Sequence, residues 1–292
     1  VTDLEIASVE AIADWIETAT LVSMSGHLGR DRLEELASVE IGAPPLKVSM
    51  AMEVMAKRVK VLGSAYPFRT SELAVLRENG NPLLTHYAAL LHLTPGSVAR
   101  QTVRATDAAE MGELFETIAE KALANLWGEG GRALSFGYPS RHGRPEAFDQ
   151  AVPWLASKIG LEPGRGYRPP LRKDGGVDVV AWRQFADQRP GFPLGLAQCT
   201  IQAETFRKTT DIDLRLWASW LAMDLDPMSL LVIPGTVRNA GPDWRQLTTV
   251  VTVIERMRLM ELLNRSAKRL DPIEWSCETT SRLRSFMKAA EA

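Results

Sequence analysis

Cysteine is scarce: Cys199 and Cys277 are the only two in 292 residues. One falls in an expected strand and one near an expected terminal helix, which argues against a disulfide framework and excludes a cysteine-rich zinc site. Long apolar runs are missing as well. With no stretch of about eighteen uninterrupted apolar residues, neither a membrane-spanning helix nor a membrane partner is expected. The opening VTDLEIASVEAIADW reads as an acidic amphipathic helix, not as the basic start and apolar middle of a secretory signal, so a cytoplasmic location is expected. Neither sign of charge dominates: 34 Lys and Arg stand against 36 Asp and Glu, for a net charge of -2. A protein that coats nucleic acid indiscriminately is strongly basic, so contact with phosphate here would have to be local. Only four histidines occur, and His86 and His92 lack the i, i+4 spacing of a zinc-binding helix. Walker loop, dinucleotide glycine fingerprint and serine elbow are all absent, which leaves an ATPase, a dehydrogenase or an α/β-hydrolase without support.

What is present is an ordinary globular composition, 45% hydrophobic and 24% charged, long enough for one large domain or two. The first part reads as helical. Thr2 and Asp3 are placed to cap an amphipathic helix with Ile6, Val9, Ile12 and Ile16 on one side. Helical periodicity resumes over 46–62 and 83–93, and a long helix is expected from Thr106 to Trp127. The glycine-rich run 128–143 is the best boundary, dividing a helical domain over 1–130 from an α/β domain over 131–292. In the second part a helix is expected over 146–159, a β-hairpin from 177–182 and 194–201, a helix over 204–223 carrying Trp217 and Trp220, a buried strand over 228–234, a further strand over 247–254 and a closing helix over 278–290.

The hairpin carries the chemistry. Asp178 follows Gly175 and Gly176 and forces a carboxylate into the start of an otherwise buried strand, where it needs a partner or a metal. Gln198 and Thr200 are two apart and share a face, with Cys199 on the other. Antiparallel pairing would bring Asp178 and Gln198 together at one end. Asp174, in a Lys-Asp-Gly-Gly turn, reads first as a turn former.

Gly176-Val177-Asp178 and Gln198-Cys199-Thr200 resemble the paired motifs of the PD-(D/E)XK nuclease superfamily, especially Mrr-type restriction endonucleases, over roughly residues 146–234. The resemblance implies a restriction-endonuclease-like core, a mixed central sheet flanked by helices. It also implies metal-dependent hydrolysis of phosphodiesters, in DNA ahead of RNA, with Mg²⁺ or Mn²⁺, and a role in defence against foreign DNA. Asp178 and Gln198 would be catalytic and metal-binding. Thr200 stands where that family has lysine, so the resemblance makes Lys208 the first candidate for the missing cation and Arg207 the second. A further carboxylate is expected from a preceding helix, either from Glu146 or Asp149 or from the Phe115-Glu116 pair. Arg168, Arg172 and Lys173 lead into the motif, where phosphate would approach, and Arg207 is a further candidate contact. A divalent ion can stabilise charge on phosphoryl oxygens and generate hydroxide near neutral pH. Gln198 offers only a neutral oxygen, so Mg²⁺ would be held loosely and keep several waters.

Plainer readings stand beside these. Glu204, Arg207 and Lys208 also fit a solvated, ion-paired helix start. With Thr200 in place of lysine, the fold could be a catalytically degenerate module that binds nucleic acid or a protein. The helical N-terminal region is the natural element for docking a protein partner.

Overall fold

The structure is a computed structural model and describes residues 8–104, 107–166, 168–237 and 242–291. Thr2, Asp3, Ile6 and Thr106, on which two of the expected helix starts rest, lie outside them. The chain forms two compact units, one comprising the residues up to Ala108 together with those from Leu263 onward, the other Ala109–Leu262.

In the first unit, helix α1 (Val9–Val22) begins at Ser8, whose hydroxyl accepts the Ala11 N–H at 3.1 Å and so satisfies one free donor of the first turn. Strand β1 (His27–Gly29) follows, then α2 (Arg30–Ile41), α3 (Pro45–Leu62), strands β2 (Phe68–Thr70) and β3 (Ala74–Arg77), α4 (Leu84–Leu93) and α5 (Val98–Gln101). The three strands form an antiparallel sheet in the order β1-β3-β2. This sheet was not expected in a region read as helical. Its strands are three or four residues long, too short to establish a period-two pattern.

The second unit opens with α6 (Ala108–Leu123) and continues through β4 (Arg132–Ser135), α7 (Phe148–Ile159), β5 (Glu162–Pro163), β6 (Val179–Trp182), β7 (Leu194–Cys199), α8 (Leu214–Trp220), β8 (Leu221–Ala222), β9 (Met228–Val232), α9 (Pro242–Thr248), β10 (Thr252–Ile254) and α10 (Arg256–Asn264). Its central sheet is mixed, ordered β10-β9-β7-β6-β4. Strands β4, β6 and β7 run antiparallel; β7, β9 and β10 run parallel. Both faces are buried, which is why the strands read as continuous apolar runs. Val180, Trp182, Leu194 and Leu196 share a core with Ala151, Leu155 and Ile159 of α7 and with Trp217 and Trp220 of α8. On the other face, a side chain at Gly195 would meet Leu230 and Trp127.

Helix α11 (Glu274–Leu283) packs on α4 in the first unit. The Ile273 N–H donates to Thr85 Oγ1 at 3.0 Å, and His92 Nε2 lies 3.1 Å from Thr280 Oγ1. The units therefore divide at 108/109 and 262/263, whereas the glycine-rich run had indicated 130/131. Helix α6 belongs with the sheet, and Glu120 accepts a hydrogen bond from Ser135 of β4.

The expected helix over 204–223 is interrupted. A 3-10 turn (Phe206–Thr210) is followed by α8, because Asp213 accepts from the Arg215 and Leu216 N–H groups and starts a new helix. Part of the strand expected over 247–254 is likewise the end of α9, with only Thr252–Ile254 extended.

Candidate active site

Asp178 sits one residue before β6, gripped from both sides. Its N–H donates to the Ala197 carbonyl of β7 at 2.8 Å, and its carbonyl accepts from Phe136 and Gly137 at the end of β4, at 2.7 and 3.0 Å. The β6–β7 register pairs Val179 with Ala197, which puts Asp178 level with Gln198. There Asp178 Oδ2 accepts from Gln198 Nε2 and, at 2.7 Å, from the Cys199 N–H. The turn before the strand is set by Asp174, whose Oδ1 accepts the Gly176 N–H at 2.8 Å. Gly176 has φ +82, and a Cβ there would lie 2.1 Å from the Asp211 carbonyl oxygen, so only glycine fits.

A second carboxylate arrives from α6. A Cβ built on Gly137 would lie 3.1 Å from Glu116 Oε2 and 3.4 Å from Asp178 Oδ1, so these oxygens border one small space kept open by the missing side chain. Burial pushes the Glu116 carboxyl up to about 7, against the pull of Arg141, whose Nη1 is 3.4 Å from Oε2. Asp178, only 8% exposed, is raised well above the ordinary carboxylate range, first by burial and then by Glu116. The Cys199 N–H and the charge of Lys208 oppose that rise, while Asp174 adds to it. Two acids that resist ionisation beside each other are a common mark of a functional site.

The donor set suits a hard divalent cation. Glu116 and Asp178 supply two carboxylates, and the Gln198 Oε1 atom is buried without a hydrogen-bond partner. Such an orphaned acceptor is costly unless something occupies it. Among the described residues no group of three or more His, Cys, Asp or Glu side chains is placed to hold a metal. The candidate set is therefore two carboxylates and an amide oxygen, which leaves positions for water or phosphate.

The remaining expected residues separate into those near this space and those away from it. Lys208, on the 3-10 turn, lies 3.4 Å from Asp211 Oδ2, the same oxygen that accepts from Arg172 Nη1 at 2.6 Å. Lys173 donates to Tyr138 Oη at 3.0 Å, on the loop that follows Gly137. Arg168 lies elsewhere: it is exposed and lines a cavity of about 440 Å³ with Phe148, Asp149 and Trp220. Arg207 is 83% exposed and pairs with Glu204 at 3.0 Å, as the solvated reading had it. Glu146 is exposed ahead of α7, and its charge acts on Lys173. Thr200 is buried; its N–H donates to the Val232 carbonyl at 3.0 Å and its hydroxyl accepts from Gln202 at 3.2 Å.

Sequence reasoning missed Asp211, Gly137, Tyr138 and the clamp made by Arg144. That guanidinium is 4% exposed, stacks 4.4 Å from the Phe136 ring centre, and donates to Ser140 Oγ and the Pro145 carbonyl at 2.8 and 2.9 Å. It also donates to the Lys173 carbonyl at 2.6 Å. The loop after β4 is thereby tied to the loop before β6. The spacing of the sequence carried no signal for that link. Comparison of the chain with protein-family models, with curated proteins and with solved structures finds no match.

Proposed function

We propose that the protein is a metal-dependent nuclease of the PD-(D/E)XK type, hydrolysing phosphodiester bonds in DNA. The observation that carries this reading is the meeting of Glu116 and Asp178 around the space at Gly137, with Gln198, whose Nε2 bonds Asp178, carrying a buried unpartnered oxygen. With α7 set between β4 and β6, the order α6, β4, α7, β6, β7, α8, β9, with antiparallel β4–β6–β7 and a parallel β7–β9 pair, supports a restriction-endonuclease-like core. Glu116, Asp178 and Gln198 would hold Mg²⁺ or Mn²⁺, and the bound ion would supply Lewis-acid stabilisation and a hydroxide near neutral pH. Lys208 would take the part left vacant by Thr200. Its ammonium is close enough to oppose the rise in the Asp178 carboxyl, so it can orient a water or balance charge on a phosphoryl oxygen.

The second reading, a degenerate nuclease fold that only binds, is favoured by Thr200 itself, whose backbone and hydroxyl are spent on local structure. Cleavage of supercoiled plasmid and of single-stranded DNA in Mg²⁺, Mn²⁺ or EDTA decides between them. The nuclease reading expects cutting that EDTA stops and that Asp178→Ala and Glu116→Ala abolish, with Lys208→Ala slowed by about 10²-fold or more. Nucleic-acid binding without cutting under every metal condition would establish the degenerate module.

A further inference from the structure

The residue that follows Gly137 at the carboxylate space is an exposed aromatic. Tyr138 is 39% exposed and follows Gly137, whose N–H is bonded to the Asp178 carbonyl. Adjacent Cα atoms are about 3.8 Å apart, so the ring springs from the wall of that space. Lys173 lies over it, with Nζ 4.3 Å from the ring centre and 3.0 Å from the hydroxyl. Among the described residues the Lys173 ammonium feels the charge of Glu146 but forms no ion pair with it. Arg144 fixes both partners, because it joins the loop that bears Tyr138 to the Lys173 carbonyl. The backbones that carry the ring and the cation are therefore tied together, and the two side chains meet each other.

A base inside a duplex has both faces covered by its neighbours, whereas an unstacked base offers a free face to an aromatic side chain. We propose that Tyr138 and Lys173 form a subsite for an unstacked nucleotide, Tyr138 stacking on the base and Lys173 meeting its phosphate, so that the substrate is single-stranded nucleic acid. This rests on the nuclease reading of the adjoining carboxylates. The molecule's net charge of -2 fits such a site better than one gripping a long duplex, since affinity must come from a few local contacts.

The test is fluorescence anisotropy with the full chain carrying Asp178→Asn, so that nothing is cut. It is titrated against a mixed-sequence single strand, as DNA and as RNA, and against the same DNA as a blunt duplex. The single strand is expected to bind more tightly than the duplex. Adding Tyr138→Ala should weaken single-strand binding roughly tenfold and leave the duplex unchanged, whereas Tyr138→Phe retains the affinity. Lys173→Ala should flatten the salt dependence by about one phosphate contact. The DNA and RNA arms then identify which strand the subsite takes. Equal losses on single strand and duplex with Tyr138→Ala, or no loss, or no binding of any strand, would overturn the subsite. Cleavage of the single strand that depends on Asp178 but not on Tyr138 would leave the nuclease reading standing and remove the subsite alone. Tyr138-dependent binding by a chain that never cuts would do the reverse.

Discussion

Two places in the molecule bury a pair of carboxylates, one in each compact unit, and they are completed differently. In the first unit Arg58 Nη1 lies 3.0 Å from Asp14 Oδ1 and 2.5 Å from Glu17 Oε1. The hydroxyls of Tyr66 and Tyr87 donate to that same Glu17 oxygen at 2.5 and 2.9 Å. Burial works against the Arg58 charge, yet Glu17, Tyr87 and Asp14 hold its proton well above the usual range. Each acid is met by a donor, so the cluster joins α1, α3 and α4 as architecture. In the second unit Glu116 and Asp178 border one space; Arg141 lies 3.4 Å from Glu116 and Asp178 accepts from amide donors, yet both acids resist ionisation. Such a set costs stability, and on the proposed nuclease reading it is kept to receive a cation. Both pairs are buried, so what separates the structural cluster from the candidate site is a guanidinium shared by both acids in the first and by only one in the second.

The largest effect should come from breaking the closed cluster. Arg58→Leu removes the cation shared by two buried carboxylates and is expected to cost ~3–5 kcal/mol in a thermal or denaturant melt. A loss below about 1 kcal/mol would mean that the cluster does not hold the unit together, and the contrast would fail.

The open pair should respond in the opposite sense, and the response should depend on pH. Glu116 is raised from 4.5 to about 7 in the folded state, so the native protein binds that proton more tightly than the unfolded chain does. Stability from this group is fully present below about pH 4.5 and is lost as pH rises to about 7. Glu116→Gln removes that dependence. In EDTA the variant should match wild type near pH 4 and exceed it by on the order of 1–3 kcal/mol near pH 8. A variant less stable than wild type near pH 8 would show that Glu116 is a closed structural residue after all.

Gly137 gives a smaller and more local perturbation. The Cβ of Gly137→Ala would sit 3.1 Å from Glu116 and 3.4 Å from Asp178, tight enough to crowd both oxygens without meeting backbone closer than 3.5 Å. Stability should hardly change, while the Mg²⁺ concentration needed for half-maximal cleavage should rise about tenfold, a shift near 1.4 kcal/mol. An unchanged Mg²⁺ dependence would place the ion elsewhere.

How much of this could be read from the sequence follows from what each feature depends on. The convergence of Asp178 and Gln198 was legible because strand geometry has a fixed period of two and the hairpin is local. Glu116 was legible only as one of several acids, since its approach depends on how α6 packs against β4. Asp211 and Arg144 were not legible, because each joins segments far apart in the chain through loop geometry that no periodicity encodes. The helix expected over 204–223 failed for a local reason. Its apolar spacing runs on through Asp211–Asp213, where the Asp213 cap ends one turn and begins another.

The smallest expected effect separates two neighbours in that same turn. Arg207 and Lys208 have similar charge and were both candidates for the missing cation. The turn directs Arg207 to solvent, where it is 83% exposed and pairs with Glu204, itself 69% exposed. Lys208 is 19% exposed, shares Asp211 with Arg172, and is near enough to influence Asp178. Exposed i, i+3 pairs contribute little to stability because water screens them and two long side chains must be ordered. Arg207→Ala should therefore leave both the melting temperature and the plasmid cleavage rate within error of wild type, in the assay where Lys208→Ala is slowed. A cleavage loss with Arg207→Ala as large as that with Lys208→Ala would mean that the turn moves to bring Arg207 inward when substrate binds, and the distinction between the two cations would have to be drawn from the bound state.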